Sequence, residues 1–437
     1  MTRQLMWTPP VPLDTDVVTR VALVEGYNTN TYQAQDDPSA ALIVRHPSPF
    51  TGVDANLELR LVGRDTDRTT LNVDARANHY EPLTAQYQSD DGAINASLSS
   101  HLTLGPRTTL TFTDGGAVTS FNAAHVTDGT IFAFDPTQVR STYWLNDVGA
   151  AIAHQLSPNW RLTQSLGMTV SGTLQSAPTE LAGGPLIEHR GIDYVMPYIE
   201  ADLNRDFTPR SSGDLMVLYQ YAWQLFVLDY TQNPPRNIGP DKQAFLTSLA
   251  GWTYHETQEL STVLRGGGVL ASAPPRDVDQ RPVLSPAGMA ELYYVRPFFD
   301  LVAAAGYTWG TVNPRLGAGP TANGSLLAIG IPRHVGAWAN FALVGRAQAS
   351  YSSLITGVGQ STGLGLCAVG AEARYGVSRW LGALAGFDFR YATFDTPGQY
   401  NPPFLQYVFF VGLSGYFSND RSLLPLTTFT APVQPPA

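Results

Sequence analysis

The sequence is poor in charge, in cysteine and in long apolar runs, and each shortage excludes a class of protein. Charged residues make up 14% of the chain, below the roughly 25% that is typical of soluble domains. The one cysteine, Cys367, excludes an internal disulfide and a CxxCH haem attachment. No run of about 18 apolar residues is present, so there is no candidate for a transmembrane helix. The net charge of -10 argues against nucleic acid as a partner.

The first residues, MTRQLMWTPPVP, also lack the apolar core of a secretory signal. A protein that is exported across the inner membrane needs such a signal. We therefore expect the numbering to start near the mature end, with the signal already removed.

In place of long apolar runs, the chain repeats segments that alternate apolar and polar residues, about every 20 to 25 residues. Connections that are alternately short and long join these segments, and no linker or composition shift divides the 437 residues. In a barrel that spans a membrane, each strand faces lipid on one side and a polar lumen on the other, which gives this period of two. Without a helix candidate, only a closed barrel satisfies the backbone in lipid. The predicted fold class is all-β, a transmembrane antiparallel up-and-down β-barrel.

One predicted hairpin illustrates the pattern. Segments ANLELRLVG and TTLNVDARANHY are joined by a short turn at residues 64–68. One face carries only apolar side chains and suits lipid, namely Leu57, Leu59, Leu61, Leu71, Val73 and Ala75. The other face carries charge and suits water, namely Glu58, Arg60, Asp74 and Arg76.

The connections set the predicted organisation. The first strand is predicted at Arg20–Tyr32, and short turns, predicted to be periplasmic, recur at 105–106, 157–159, 208–210, 258, 296–297, 332–334 and 377–378. Longer segments, predicted to be extracellular loops, lie at 121–137, 176–188, 273–285 and 350–360. Together they predict about 18 strands, within a range of 16 to 20. The predicted parts are an N-terminal periplasmic segment at 1–18, a barrel at 19–417 and a Pro-rich periplasmic tail at 418–437.

At this point the chain resembles a bacterial outer-membrane β-barrel of the porin class. The most specific part is LQYVFFVGLSGYF, Leu405–Phe417, which resembles the C-terminal strand that the barrel-assembly machinery recognises, although the chain continues past Phe417. The resemblance implies the outer membrane of a Gram-negative bacterium as the location, with contacts to its lipid and lipopolysaccharide. It also implies a homotrimer, while a periplasmic or luminal protein is a second kind of partner that the sequence leaves open.

Strand parity places a set of charges on the predicted inner face, and these are the pore-lining candidates. Opposite charges on adjacent strands are expected to pair. Two interpretations stay open: a wall of mutually neutralising side chains, or a constriction with arginines on one wall and carboxylates on another, as in general diffusion porins. Loops 34–50 and 121–137 are the candidates for narrowing the lumen. The pore-lining candidates are Glu58, Arg60, Asp74, Arg76, Glu200, Asp202, Arg265, Glu291, Asp300, Arg346, Glu372, Arg374, Asp388 and Arg390.

A barrel of 16 to 18 strands leaves an aqueous channel unless something fills it. The predicted function is therefore passive diffusion of ions or small hydrophilic solutes, with no catalytic site, metal or cofactor. The main alternative is a structural barrel that sheathes or anchors a complex, such as an electron conduit or a secretion or motility machine. Small residues on the inward parity, at Ala304, Gly306 and Gly386, permit such a sheath. An outer-membrane enzyme is the minor alternative, but the histidines are scattered and Ser414 lies in GLSG rather than in a GxSxG elbow.

Overall fold

The computed structural model describes most of the chain, and all regular structure in that part is β. The described residues are 14–29, 47–62, 67–80, 91–120, 142–175, 191–225, 228–229, 236–237, 240–272, 282–296, 299–313, 317–330, 341–357, 360–378, 380–395 and 403–418.

Eighteen strands form one antiparallel sheet that closes on itself. Closure is direct, because β1 pairs with β2 on one side and with β20 on the other. The predicted strand number is thus confirmed. Two-residue strands, β10 and β11, pair only with each other. The strands are β1 (Asp14–Asn28), β2 (Ser48–Val62), β3 (Arg68–Tyr80), β4 (Asp91–Gly105), β5 (Thr108–Ser120), β6 (Thr142–Ser157), β7 (Trp160–Gln175), β8 (Gly191–Thr208), β9 (Ser211–Gln224), β10 (Leu228–Asp229), β11 (Arg236–Asn237), β12 (Asp241–His255), β13 (Leu260–Ala271), β14 (Val283–Arg296), β15 (Phe299–Asn313), β16 (Gly317–Gly330), β17 (Phe341–Gly357), β18 (Gln360–Gly376), β19 (Leu381–Asp395) and β20 (Phe404–Ser418).

Each strand has an apolar outer face because its side chains alternate across the sheet. In β1, Val21 and Leu23 are 49% and 54% exposed, whereas Ala22 between them is 0% exposed. The register carries this parity around the ring: Leu59 of β2 lies opposite Leu71 of β3, as the hairpin pattern predicts. In such a closed barrel, the backbone N–H and C=O groups form their hydrogen bonds within the sheet, and the outer surface consists mainly of apolar side chains. Transmembrane barrels have both properties.

Cations on the outer face lie near strand ends and are packed on aromatic rings. The Arg205 guanidinium lies 5.0 Å from the Trp160 ring and 5.4 Å from the Phe207 ring, at the end with the tight turns. At the other end, the Lys242 ammonium lies 4.9 Å from the Trp223 ring. Amphipathic groups of this kind belong at the headgroup level on the two sides of a bilayer.

Aromatic side chains of β19 and β20 also lie on the outer face, away from the strand ends. Phe387 and Phe389 are on the outward parity at the middle of β19. There they pack on β20, with the Phe387 ring 5.0 Å from that of Phe409 and the Phe389 ring 5.2 Å from that of Tyr407. A purely apolar ring needs no interfacial water, so this depth suits phenylalanine. Trp309 of β15, in contrast, packs against an inner apolar cluster.

Several predicted boundaries change. The first strand begins at Asp14 rather than Arg20, so residues 14–18 of the predicted N-terminal segment belong to the barrel. The predicted loop at 350–360 is wrong, because β17 runs to Gly357 and β18 begins at Gln360. The alternation of small and apolar residues that is typical of a strand continues through residues 350–357, so this segment extends β17. The predicted loops at 121–137 and 176–188, the turn at 332–334 and the tail beyond Ser418 lie outside the described residues.

A search of the described residues for helices long and apolar enough to cross a membrane finds none.

The parity predicts opposite reactivity for two cysteine positions. Cys367 lies at the middle of β18 on the outward parity, and Thr113 lies on the inward parity of β5, where it is exposed. In lipid vesicles, a membrane-impermeant maleimide should leave Cys367 unmodified and should label the thiol that Thr113→Cys introduces in a Cys367→Ala background. Intact-protein mass spectrometry reads both, with the unfolded protein as the positive control. Labelling of Cys367 alone would contradict the assigned parity.

Candidate functional site

The register places every predicted pore-lining candidate on the parity opposite to the exposed apolar side chains. Asp74, for example, lies opposite Asn56 on β2, and Asp388 lies opposite Gly370 on β18. All fourteen therefore face the barrel interior, and their part in conduction stays a prediction. The interior charges fall into two groups, which occupy different sectors of the ring.

The first group, the arginine wall, covers β17–β20 and β1–β3. Two of its arginines pair with a carboxylate of their own strand rather than of a neighbouring strand. Arg60 Nε donates to Glu58 at 2.6 Å, and Arg374 binds Glu372 in the same way. Arg76 binds Asp54 through two nitrogens. The wall consists of Arg20, Asp54, Glu58, Arg60, Asp74, Arg76, Arg346, Glu372, Arg374, Asp388 and Arg390. Arg76 thus pairs with a carboxylate on the adjacent strand, and the register selects Asp54, which lies opposite Arg76, whereas Glu58 lies opposite Asn72.

The second group, the acidic wall, covers β6–β9 and β13–β15. Arg265 donates from Nε to Asp214 at 2.9 Å, and Arg161 of β7 also faces inward, near Asp202. Hydroxyl groups donate to three of the carboxylates: Thr169 to Asp147, Thr173 to Asp193 at 2.7 Å and Tyr293 to Glu291 at 2.8 Å. The wall consists of Asp147, Arg161, Asp193, Glu200, Asp202, Asp214, Arg265, Glu291 and Asp300. Seven carboxylates against two arginines give this side a negative field.

The two walls lie across the lumen from each other. In the ring of eighteen strands, β20, at the centre of the arginine wall, is nine strands from β9 in either direction. They also lie at similar depth: Arg346, Arg265 and Glu291 are each five residues from the tight-turn end of their strands, at Phe341, Leu260 and Arg296. A solute on the axis would therefore lie between six arginines with five carboxylates on one side and seven carboxylates with two arginines on the other.

Each wall contains an ion pair that reaches over an intervening strand, and a glycine makes this possible. Arg265 of β13 and Asp214 of β9 both lie opposite Gly251 of β12. A Cβ at Gly251 would lie 2.2 Å from Asp214 Oδ1, so only glycine leaves room for the carboxylate. The arginine wall repeats the arrangement: Arg346 Nη2 donates to Asp388 at 3.5 Å across Gly370, whose Cβ would lie 2.4 Å from Asp388 Oδ1.

Apolar clusters lie beside both walls, toward the end with the longer loops. On the arginine side, the Phe50 and Tyr80 rings are 5.6 Å apart and pack with residues of β1, β19 and β20. On the acidic side, Tyr194 and Phe245 are buried with residues of β9, β12, β13 and β14. Seen from the end with the longer loops, the charged side chains of the two walls therefore lie below these aromatic residues. Of the loops predicted to narrow the lumen, only 47–50 lies within the described residues, and Ser48–Phe50 belongs to β2.

Sequence reasoning missed several members of the walls. Asp54 and Arg20 have the same parity as the predicted Glu58 and as the buried Ala22, so the period of two was sufficient to find them. Asp214 was hidden because the next inward positions, Met216 and Leu218, are apolar and make the face of β9 look like a lipid face.

Ser414 is buried and donates to the carbonyl oxygen of Gly382 at 3.4 Å, so it is engaged with backbone. Within the described ranges, no group of three or more histidine, cysteine or acidic side chains is arranged to hold a metal ion. What the walls can do is exert a transverse field on polar or charged solutes.

Replacing Gly251, which leaves room for the Asp214 carboxylate, should lower the stability of the barrel. Gly251→Val should push Asp214 away from Arg265 and lower the free energy of unfolding by about 3 kcal/mol or more, since it strands a buried charge. Urea unfolding in lipid vesicles, followed by tryptophan fluorescence, measures the change. The matched control is Gly266→Val, because a Cβ at Gly266 meets nothing within 4 Å. Equal losses for the two variants would contradict the role assigned to Gly251.

Comparison with known proteins finds likeness in structure alone. No protein-family model matches the chain, and no curated protein matches its sequence. Among solved structures, it is similar to OccK2 (OpdF) of Pseudomonas aeruginosa in complex with glucuronate, at 11% identity, 92% of this chain, 98% of that chain and a TM-score of 0.43. A BenF-like porin of Pseudomonas fluorescens has 10% identity, 92% and 98% coverage and a TM-score of 0.42. The siderophore receptor PirA of Acinetobacter baumannii has 8% identity, 94% and 81% coverage and a TM-score of 0.44.

The protein is thus an all-β, closed 18-stranded barrel, with the apolar outer face and polar interior of a bacterial outer-membrane barrel that crosses the membrane many times.

Proposed function

We propose that the barrel is a porin-type channel for passive diffusion of ions and small hydrophilic solutes, in which the two walls form a transverse constriction. The observation that carries the proposal is the segregation of charge across the ring, with arginines gathered around β20 and carboxylates gathered opposite them. A barrel that needed only a stable interior would gain more from mixing the two signs, because adjacent opposite charges neutralise each other.

Polar atoms without protein partners support a wet interior. Asp202 Oδ1, Asp300 Oδ1 and two nitrogens of Arg390 are buried and make no hydrogen bond within the described part of the chain. A buried polar group that lacks a partner costs about 1–3 kcal/mol, and more when it is charged. Water or passing ions relieve that cost, which favours a hydrated lumen over a dry one.

The field between the walls favours certain solutes. A solute that carries separated charges can turn its anionic end toward the arginine wall and its cationic end toward the acidic wall. A solute without a dipole gains nothing from the field and must still displace ordered water. We therefore expect zwitterions and small ions to pass more readily than neutral apolar solutes of equal size.

The structural sheath is the second candidate, since small side chains line part of the interior. Ala304 and Gly306 face inward on β15, opposite Ser325 and Asn323 of β16. Gly386, in contrast, offers no free space, because the Phe410 ring lies over it with its nearest atom 2.1 Å from where a Cβ would be. A sheath predicts a lumen filled by another protein, whereas a channel predicts steady conduction by the barrel alone.

Ion selectivity in planar bilayers tests the proposal. Neutralising the arginine wall with Arg346→Gln and Arg390→Gln should shift the reversal potential in a salt gradient toward cation selectivity. Glu200→Gln with Asp202→Asn should shift it toward anion selectivity. Both shifts should be large at 0.01 M salt, where the Debye length is about 30 Å, and small at 1 M, where it is about 3 Å.

Arg205→Gln is the matched control, because it removes an arginine from the outer face, where Arg205 packs on Trp160. Its reversal potential should equal that of the unmodified barrel. Equal reversal potentials for the arginine-wall, acidic-wall and control variants would contradict a charged constriction.

A further inference from the structure

Among the described residues, the outer face carries one charged side chain at mid-depth, Asp114 on β5. Asp114 lies opposite Leu98 of β4 and Val148 of β6, both on the outward parity with the exposed Phe112. It is the central residue of β5, six positions from Thr108 and six from Ser120. Its carboxylate accepts a hydrogen bond of 2.9 Å from Asn146 Nδ2 on β6. A polar pair therefore lies where the wall otherwise meets hydrocarbon.

The position of Asp114 differs from that of every other outward-facing acidic or basic side chain on the described barrel strands. Those side chains lie within three positions of a strand end, where headgroups and water can solvate them: Glu25, His79, His154, Arg205, Lys242 and Arg296. An ionisable group inside a membrane pairs with another polar group or marks a functional site. Asn146 supplies one hydrogen bond, and the described residues supply no further hydrogen-bond partner for the second carboxylate oxygen of Asp114 or the second amide N–H of Asn146.

The wall around this pair is also recessed. Gly116 follows Asp114 on the outward face, and a Cβ there would lie 3.5 Å from Asn146 Nδ2. Ala96 of β4 lies opposite Gly116. With a glycine and an alanine on this side of the pair, and Leu98 and Phe112 on the other side, another protein surface can approach the pair from the side of the small residues, as small residues allow between helices in membranes.

We propose that the Asp114 patch, formed by Ala96, Asp114, Gly116, Asn146 and Val148, is the contact between two copies of this chain, related by a two-fold axis along the membrane normal. The patch is self-complementary under that rotation. When two barrels with the same orientation meet at the seam of β5 and β6, β5 of one copy faces β6 of the other. Each free Asp114 oxygen then meets the free amide N–H of an Asn146, and the reverse pair forms as well, as an isologous interface requires.

The self-complementarity of the Asp114 patch favours a dimer over the trimer that the resemblance implies. A three-fold ring joins two different patches, so Asp114 would need a partner elsewhere on the outer wall. Within the described strands, no second outward acidic or basic group lies at mid-depth to provide one. A two-fold axis is the arrangement that pairs the patch with itself.

Disulfide trapping in native outer membranes tests the proposal on the full chain. In a Cys367→Ala background, Val148→Cys places a thiol in the patch, and Val369→Cys places one at mid-depth on the outward face of β18. Mild oxidation should convert most of the Val148→Cys protein, and little of the Val369→Cys protein, to a species of twice the monomer mass. Equal yields for the two variants, or no dimer from the Val148→Cys protein, would overturn the proposal.

A second measurement separates the contact from folding. Asp114→Leu with Asn146→Leu should abolish the dimer in unheated gels and in native mass spectrometry, while the heat-induced change in mobility that marks a folded barrel is kept. A dimer that survives both substitutions, or a trimer in the unmodified protein, would contradict the two-fold contact. The trapping result decides the question if the double variant fails to fold.

Discussion

The structure depends on one constraint: within a bilayer, every backbone N–H and C=O must find a partner inside the protein. The pairing of β1 with β20 meets it by removing the sheet edges. Closure in turn fixes which face each residue occupies, because a slip of one residue in any strand would exchange its two faces. The apolar exterior and the charged interior are therefore two results of the same closed register.

The interior charges depend on that register in a second way. Arg265 and Asp214 lie on strands that are not neighbours, and so do Arg346 and Asp388. Each pair is in contact because a glycine on the strand between lies opposite both members, and the carboxylate occupies the space that a Cβ would fill. Such pairs fix the arginine guanidinium groups and carboxylates against their own walls. Fixed charges keep the field across the lumen directed, whereas freely moving side chains would average it.

Much of this fold is predictable from the sequence, because a period of two is a local signal. The strand number, the lipid face of β2 and β3 and the inward parity of Arg374 or Glu200 follow from alternation alone. The opposition of the two walls does not, since it depends on ring order and on the register of all eighteen strands. The role of Gly251 requires two partners on different strands. Asp114 required the same register before it could be assigned to the outer face, because its own segment, TFTDGGAV, alternates weakly.

The central claim is that the closed barrel encloses a hydrated path, and single-channel recording of the purified protein in a planar bilayer tests it most directly. We predict stepwise, long-lived openings whose conductance rises with salt concentration, from protein whose gel mobility changes on heating as a folded barrel's does. A folded barrel that inserts and shows no conductance steps would contradict the claim and would favour a lumen that another protein fills.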